Sequence, residues 1–86
     1  MIRFKDKIIE GYKICPMTGK IFNEVTGEVE STTYYKGRCR WKSKPIYCLM
    51  GHTYLGYFKG CCIHHIDYNK QNDILLNLQF LTRGEH

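Results

Sequence analysis

Two adjacent histidines, His64 and His65, stand ahead of a polar loop, an Asn-Leu step, a short apolar run and a last histidine, His86. Three of the four histidines fall in this one stretch. Neighbouring side chains on a β-strand point to opposite faces. One imidazole can therefore bind a metal ion while the other faces a substrate. The intervening Asp67, Asn69 and Asn72 are residues that turn a chain by hydrogen-bonding their own backbone. The stretch from Cys61 to Thr82 thus reads as a ribbon folded back on itself, with Ile66, Leu76, Leu78, Phe80 and Leu81 as core candidates.

A chain of 86 residues is expected to form a single domain, residues 1–86, with a small core. At 43% hydrophobic and 14% aromatic it is not a disordered tail. No apolar run is long enough to span a bilayer. Arg3, Lys5, Asp6, Lys7 and Glu10 interrupt the first ten residues, which therefore lack the apolar centre of a signal peptide. The expected setting is cytoplasmic. Five cysteines include no Cys-x-x-Cys pair, so they read as reduced, mostly buried thiols. A zinc ion held by distant cysteines remains the weaker alternative.

The net charge of +5 is unevenly placed. Residues 1–45 carry ten Lys/Arg against five Asp/Glu, and residues 46–86 carry three of each. The basic excess precedes the histidines and points to a polyanion, nucleic acid before membrane.

Turn signals divide the first half. Cys15-Pro16-Met17-Thr18-Gly19 and Thr26-Gly27 suit tight turns, Pro16 and the glycines supplying the required backbone angles. Ile2, Phe4, Ile8, Ile9, Tyr12 and Ile14 are packing candidates in a loosely alternating start. Lys20 to Glu24 and Glu28 to Tyr35 read as strands, the latter rich in Val, Thr and Tyr. Antiparallel hairpins are the expected result. Ile46 to Met50 reads as a further strand of bulky residues ended by Gly51, and His52 to Phe58 as a short helix with Tyr54 and Phe58 on one side.

Between these lies a basic alternation: Lys36, Arg38, Arg40, Lys42 and Lys44. In extended chain all five cations share one face, opposite Gly37, Cys39, Trp41 and Ser43. Such a face matches closely spaced phosphates and gives salt-dependent affinity. The same pattern also protects an edge strand from aggregation. A turn at Ser43 to Pro45 would share the stripe between two strands. Trp41 reads as core, with base stacking as the exposed alternative.

The stretch His52 to His86 resembles the HNH endonucleases, in the branch common in phage and homing nucleases. The resemblance rests on His64-His65-Ile66-Asp67, on Asn69 and Asn72, on Asn77-Leu78-Gln79-Phe80-Leu81-Thr82, and on Glu85-His86, with the short helix ending at Phe58 upstream. It implies a ββα-metal (His-Me finger) motif over residues 51–86, which with the basic β-hairpin region read over residues 1–50 makes an α+β fold. It further implies His65 as general base and His64 as a metal ligand. Asn77, twelve residues after His65, would brace the loop and orient the base, and His86, nine residues later, would be the second metal ligand. Asp67 and Asn72 would shape the loop, with direct contact to DNA or metal as the alternative. Tyr68 stands where such nucleases frequently carry glycine.

What the resemblance implies is metal-dependent hydrolysis of DNA phosphodiester bonds, nicking or cutting, on DNA expected to be double-stranded, in a phage or bacterial host cell. A single divalent cation (Mg, Mn, Ni or Zn) would offset charge on the phosphate oxygens, and an imidazole has a suitable intrinsic pKa to accept a proton from water. Two imidazole ligands suit Zn, Ni or Mn better than Mg. The sequence stops at His86, where the resemblance implies the final helix of the motif, which is thus expected to be truncated. Three expectations stay open: a homodimer mate or second chain supplies that helix, the chain is a fragment, or cleavage has been lost. In the last case the chain is a nucleic-acid-binding or regulatory module on a degenerate HNH scaffold.

Overall fold

A computed structural model describes residues 1–56, 61–69 and 72–82, apart from the side chains of Cys61 and Thr82. It is a small α+β fold whose strands are all paired antiparallel.

The opening charged-apolar alternation folds as two short hairpins. β1 (Ile2–Phe4) pairs with β2 (Lys7–Ile9), and β3 (Tyr12–Ile14) with β4 (Ile21–Asn23). The Cys15-to-Gly19 turn closes the second hairpin through Gly19 N–H on the Cys15 carbonyl and Cys15 N–H on that of Lys20, both 2.8 Å. The next turn is held by the Asn23 side chain, whose Oδ1 accepts from the N–H groups of Val25 and Thr26. Beyond it, only Val29 bridges back to Phe22, and the strand read over Glu28 to Tyr35 shrinks to β5 (Thr33–Tyr35).

The basic alternation does not run as one strand. Lys36-Gly37 and Lys42-Ser43 are two-residue hairpin turns with positive φ at all four residues (53°, 77°, 48° and 66°), the geometry that matches the twist of the flanking strands. Between them, β6 (Arg38–Trp41) is the central strand of a three-stranded sheet, with β5 on one side and β7 (Lys44–Pro45) on the other. The edge-strand reading therefore fails for Arg38 and Arg40, because both sides of β6 are paired; the edges are β5 and β7, and only Lys44 of the stretch lies on one.

α1 spans Ile46–Tyr54. The strand expected over Ile46 to Met50 is its first half, and the helix expected from His52 begins six residues earlier. Pro45 at the N-cap has φ −62°, already suited to helix entry. Ile46, Leu49 and Met50 then fall on one face at helical spacing, and all three are buried. Gly51 does not stop the helix. It is the point where α1 meets the next hairpin, because a Cβ there would lie 2.6 Å from Ile63 Cδ1.

That hairpin is β8 (Cys61–His65) with β9 (Leu78–Thr82), preceded by a turn of 3-10 helix at Leu75–Asn77. Its register pairs Ile63 with Phe80, His64 with Gln79 and His65 with Leu78. Ile63, His65 and Leu78 face α1. The core is Ile2, Ile14, Ile21, Trp41, Ile46, Leu49, Met50 and Leu78, and Trp41 is part of it at 2% exposure. Three core candidates are instead exposed: Ile8, Ile66 and Leu76. Ile66 sits in the turn after β8, and in the single 3-10 turn Leu75 packs inward while Leu76 points out. The thiols of Cys15, Cys39, Cys48 and Cys62 are free. Among the described residues no helix is long and apolar enough to cross a membrane.

Candidate functional site

The period-two geometry of β8 separates the adjacent histidines. His65 turns toward α1 and is 6% exposed. Its ring lies 5.2 Å from that of Tyr47, and its Nε2 is 2.8 Å from Asp73 Oδ1. His64 turns the other way, half-buried, with its ring edge-on to Tyr68 at 5.2 Å. Tyr68 is 80% exposed and holds φ 62°, the left-handed region in which glycine is easiest.

The loop after β8 is tied together by Asn77. Its Nδ2 donates to Asp67 Oδ1 and to the Asn72 carbonyl, each at 2.8 Å, while its Oδ1 accepts from the Asp67 N–H at 3.1 Å. Asp67 also accepts from the Asn69 N–H and from Asn72 Nδ2. Those bonds, from Asn72 first, then the Asn69 backbone and Asn77, hold the Asp67 carboxyl below the usual carboxylate range. Asn77 is buried, so this loop has an internal brace. Asn77, Asp67 and Asn72 thus form one network that begins two residues after His65.

Asp73 is missing from any reading of the sequence alone. It lies in the same polar loop as Asp67, and only the folded ribbon brings it under His65. Burial pushes its carboxyl up, while the hydrogen bond to His65 acts in the opposite direction. Tyr47 is likewise invisible while residues 46–50 are read as a strand. The helical spacing of Ile46, Leu49 and Met50 is the signal that would have placed it.

The five cations divide into two groups. Arg38 and Arg40 share the face of β6 opposite Cys39 and Trp41. The Arg38 guanidinium stacks 4.6 Å from the Tyr47 ring centre, so Tyr47 carries a cation and His65 as neighbours. Arg40 and Lys36 both lie over Tyr35, at 5.2 and 5.4 Å. Arg40 Nε is buried and has no hydrogen-bond partner among the described residues. Lys42 and Lys44 lie on the Trp41 side, Lys42 over Tyr12 and Trp41 and Lys44 over Phe4. The two tight turns are the reason: they end the extended run before all five cations can align.

The chain is similar in fold to an HNH homing endonuclease. The matching solved structure is described as "DNA binding and cleavage by the HNH homing endonuclease I-HmuI", with a TM-score of 0.71 and 20% identity over 98% of this chain and 53% of that one. This chain thus spans about half the length of its structural neighbour. No protein-family model matches it, and no curated protein matches it in sequence.

His86 lies outside the described residues, as does the segment that would hold the final helix of a ββα unit. Among the described residues no three His, Cys, Asp or Glu side chains converge as a metal centre. His64 alone of the two expected ligands is placed, and its outward, half-buried imidazole suits a borderline divalent cation.

Proposed function

We propose that this chain binds double-stranded DNA and hydrolyses its phosphodiester bonds with a divalent metal ion. The observation that carries the reading is a pair of back-to-back histidines on β8, beside an arginine-bearing sheet, in a fold similar to that of a DNA-cleaving homing endonuclease. His64 and His86 are the residues that would hold the metal, which when bound supplies positive charge next to the phosphate oxygens.

The chain's own residues would do the rest. Arg38 and Arg40, presented on one face of β6, would bind phosphates on either side of the reacting one, with Lys36 extending that contact from its turn. Lys42 and Lys44 would meet the backbone from the other side of the sheet. His65 would accept the proton of the attacking water, a contribution on the order of 10²–10⁴-fold. The Asn77 network would hold the loop, and with it the direction of β8, fixed during that transfer.

One observation favours a second reading. His65 is 6% exposed, which also suits a DNA-binding module that has kept the scaffold and lost cleavage. A plasmid-nicking assay with Mg²⁺, Mn²⁺, Ni²⁺ or Zn²⁺ separates the two. Cleavage that needs the metal and disappears in folded His65→Gln supports the nuclease. Salt-sensitive DNA binding without cleavage, in protein whose near-ultraviolet spectrum shows a packed Trp41, supports the module.

A further inference from the structure

We propose that Asp73 is a positioning residue for His65: it fixes the imidazole with its proton on Nε2 and so reserves Nδ1 as the atom that accepts a proton. This rests on the nuclease reading for its catalytic consequence, but the proton placement rests only on the geometry of the pair and on an ionised Asp73.

Asp73 is 7% exposed and His65 6%, so the 2.8 Å contact between Oδ1 and Nε2 is shielded from water. An ionised carboxylate only accepts hydrogen bonds, so the ring nitrogen facing it must carry the hydrogen. In the neutral imidazole the other nitrogen then has an open lone pair. Nδ1 makes no hydrogen bond among the described residues, whereas Nε2 is committed.

Asp73 can hold the ring because it is itself held on both sides. The preceding carbonyl, Asn72 O, accepts from Asn77 Nδ2 at 2.8 Å. Two residues later, the Leu75 N–H donates to the Pro16 carbonyl at 2.8 Å. A carboxylate on a free loop would follow the imidazole, but one pinned at both ends dictates where the ring sits. Tyr47 limits the ring from α1 at 5.2 Å.

A water proton passes to Nδ1 and gives an imidazolium whose Nε2–H remains on the Asp73 carboxylate. The water oxygen bonds to phosphorus, the bond from phosphorus to the 3′ oxygen breaks, and that oxygen takes a proton from solvent. In this role Asp73 would touch neither substrate nor metal. It acts through His65, as outer-shell carboxylates do for other functional histidines.

The test is long-range ¹H–¹⁵N NMR of the His65 ring in the full chain at pH 8, run beside nicking kinetics. Wild-type protein is expected to show hydrogen on Nε2. Asp73→Asn, which can offer either an acceptor or a donor to that nitrogen, is expected to populate the Nδ1–H form. It should also lower kcat for nicking by about 10–100-fold with KM for DNA unchanged. Asp73→Glu is expected to restore the Nε2–H form in part. Hydrogen on Nδ1 in wild-type protein overturns the proposal without any variant, as does an unchanged tautomer in folded Asp73→Asn. A changed tautomer with an unchanged kcat overturns the positioning role. Absence of nicking by wild-type protein overturns the nuclease reading instead, and the NMR result still decides the proton placement.

Discussion

Replacing Gly51 by alanine tests how closely α1 sits on the histidine strand. In a helix interior the change favours folding by about 0.8–1.0 kcal/mol, through helix propensity. Here the new Cβ would stand 2.6 Å from Ile63 Cδ1 and 3.4 Å from Cγ1. The first distance is about an ångström inside the usual carbon–carbon separation of roughly 3.5–4.0 Å. Cδ1 is the end of the side chain, so twisting Ile63 off its rotamer relieves part of the clash, at about 0.5–1.5 kcal/mol. Moving β8 instead is an overpacking cost of about 1–3 kcal/mol. The gain and the cost together leave Gly51→Ala less stable by about 1 kcal/mol. Ile63→Val removes Cδ1 and alone costs about 0.5–1.5 kcal/mol. In the double variant the clash is gone and the propensity gain returns, so the two changes should couple favourably by about 1–2 kcal/mol. Urea unfolding followed by the fluorescence of buried Trp41 measures all four proteins. A single variant stabilised by the full propensity gain, with no coupling to Ile63→Val, would refute this packing. His65 lies two residues along the same face, and its contact with Tyr47 depends on the same close approach of β8 to α1.

Three further outcomes are expected. The Lys5 N–H donates to His52 Nδ1 at 3.1 Å, and burial, then the Lys5 charge, lower the His52 pKa, so the unfolded chain takes up this proton first as pH falls. This contribution is complete above the ordinary histidine range and is lost as pH falls through it, at no more than about 1.4 kcal/mol per pH unit; the pH dependence of urea midpoints in wild type and His52→Gln should differ by that amount or less, and with that sign. Asn77→Ala removes three hydrogen bonds, one to a carboxylate, and should cost about 2–3 kcal/mol of stability; NMR titration should show the Asp67 carboxyl rising toward its ordinary value, and an unmoved Asp67 would mean that Asn77 does not brace the loop. Replacing Arg38 and Arg40 together by alanine should reduce the slope of log K against log salt for duplex DNA by about 1.8, at roughly 0.9 per phosphate contact; an unchanged slope would remove this face of β6 from the interface.

The turns at Gly19 and Gly27 were the most legible part of the sequence, since both glycines take up positive φ where the chain reverses. The division of His64 and His65 between two faces was also readable, because it follows from strand alternation alone. α1 was not. Ile46 and Tyr47 favour strands locally, and only the depth of the core selects the helix that buries Ile46, Leu49 and Met50 together. Gly51 reads as a stop in sequence, yet the close approach of β8 makes it a contact. The basic stripe was readable as charge and misread as geometry, since Lys36 and Lys42 occupy backbone conformations for which lysine gives no signal. Asp73 lacks a local signature too: a carboxylate in a polar loop looks solvated until the ribbon closes and sets it against a residue eight positions earlier.

The hairpin tips at Lys5, Lys36 and Lys42 each place a lysine in the left-handed conformation, with φ between 48° and 55°. Asparagine or glycine would rest there with less strain, but neither brings an ammonium group. A population of variants selected only for thermal resistance should therefore drift toward those two residues at all three positions. One selected for retention on a polyanion column should keep the lysines. Sequencing the survivors of each selection would show whether these hairpin ends are there to close the chain or to grip something outside it.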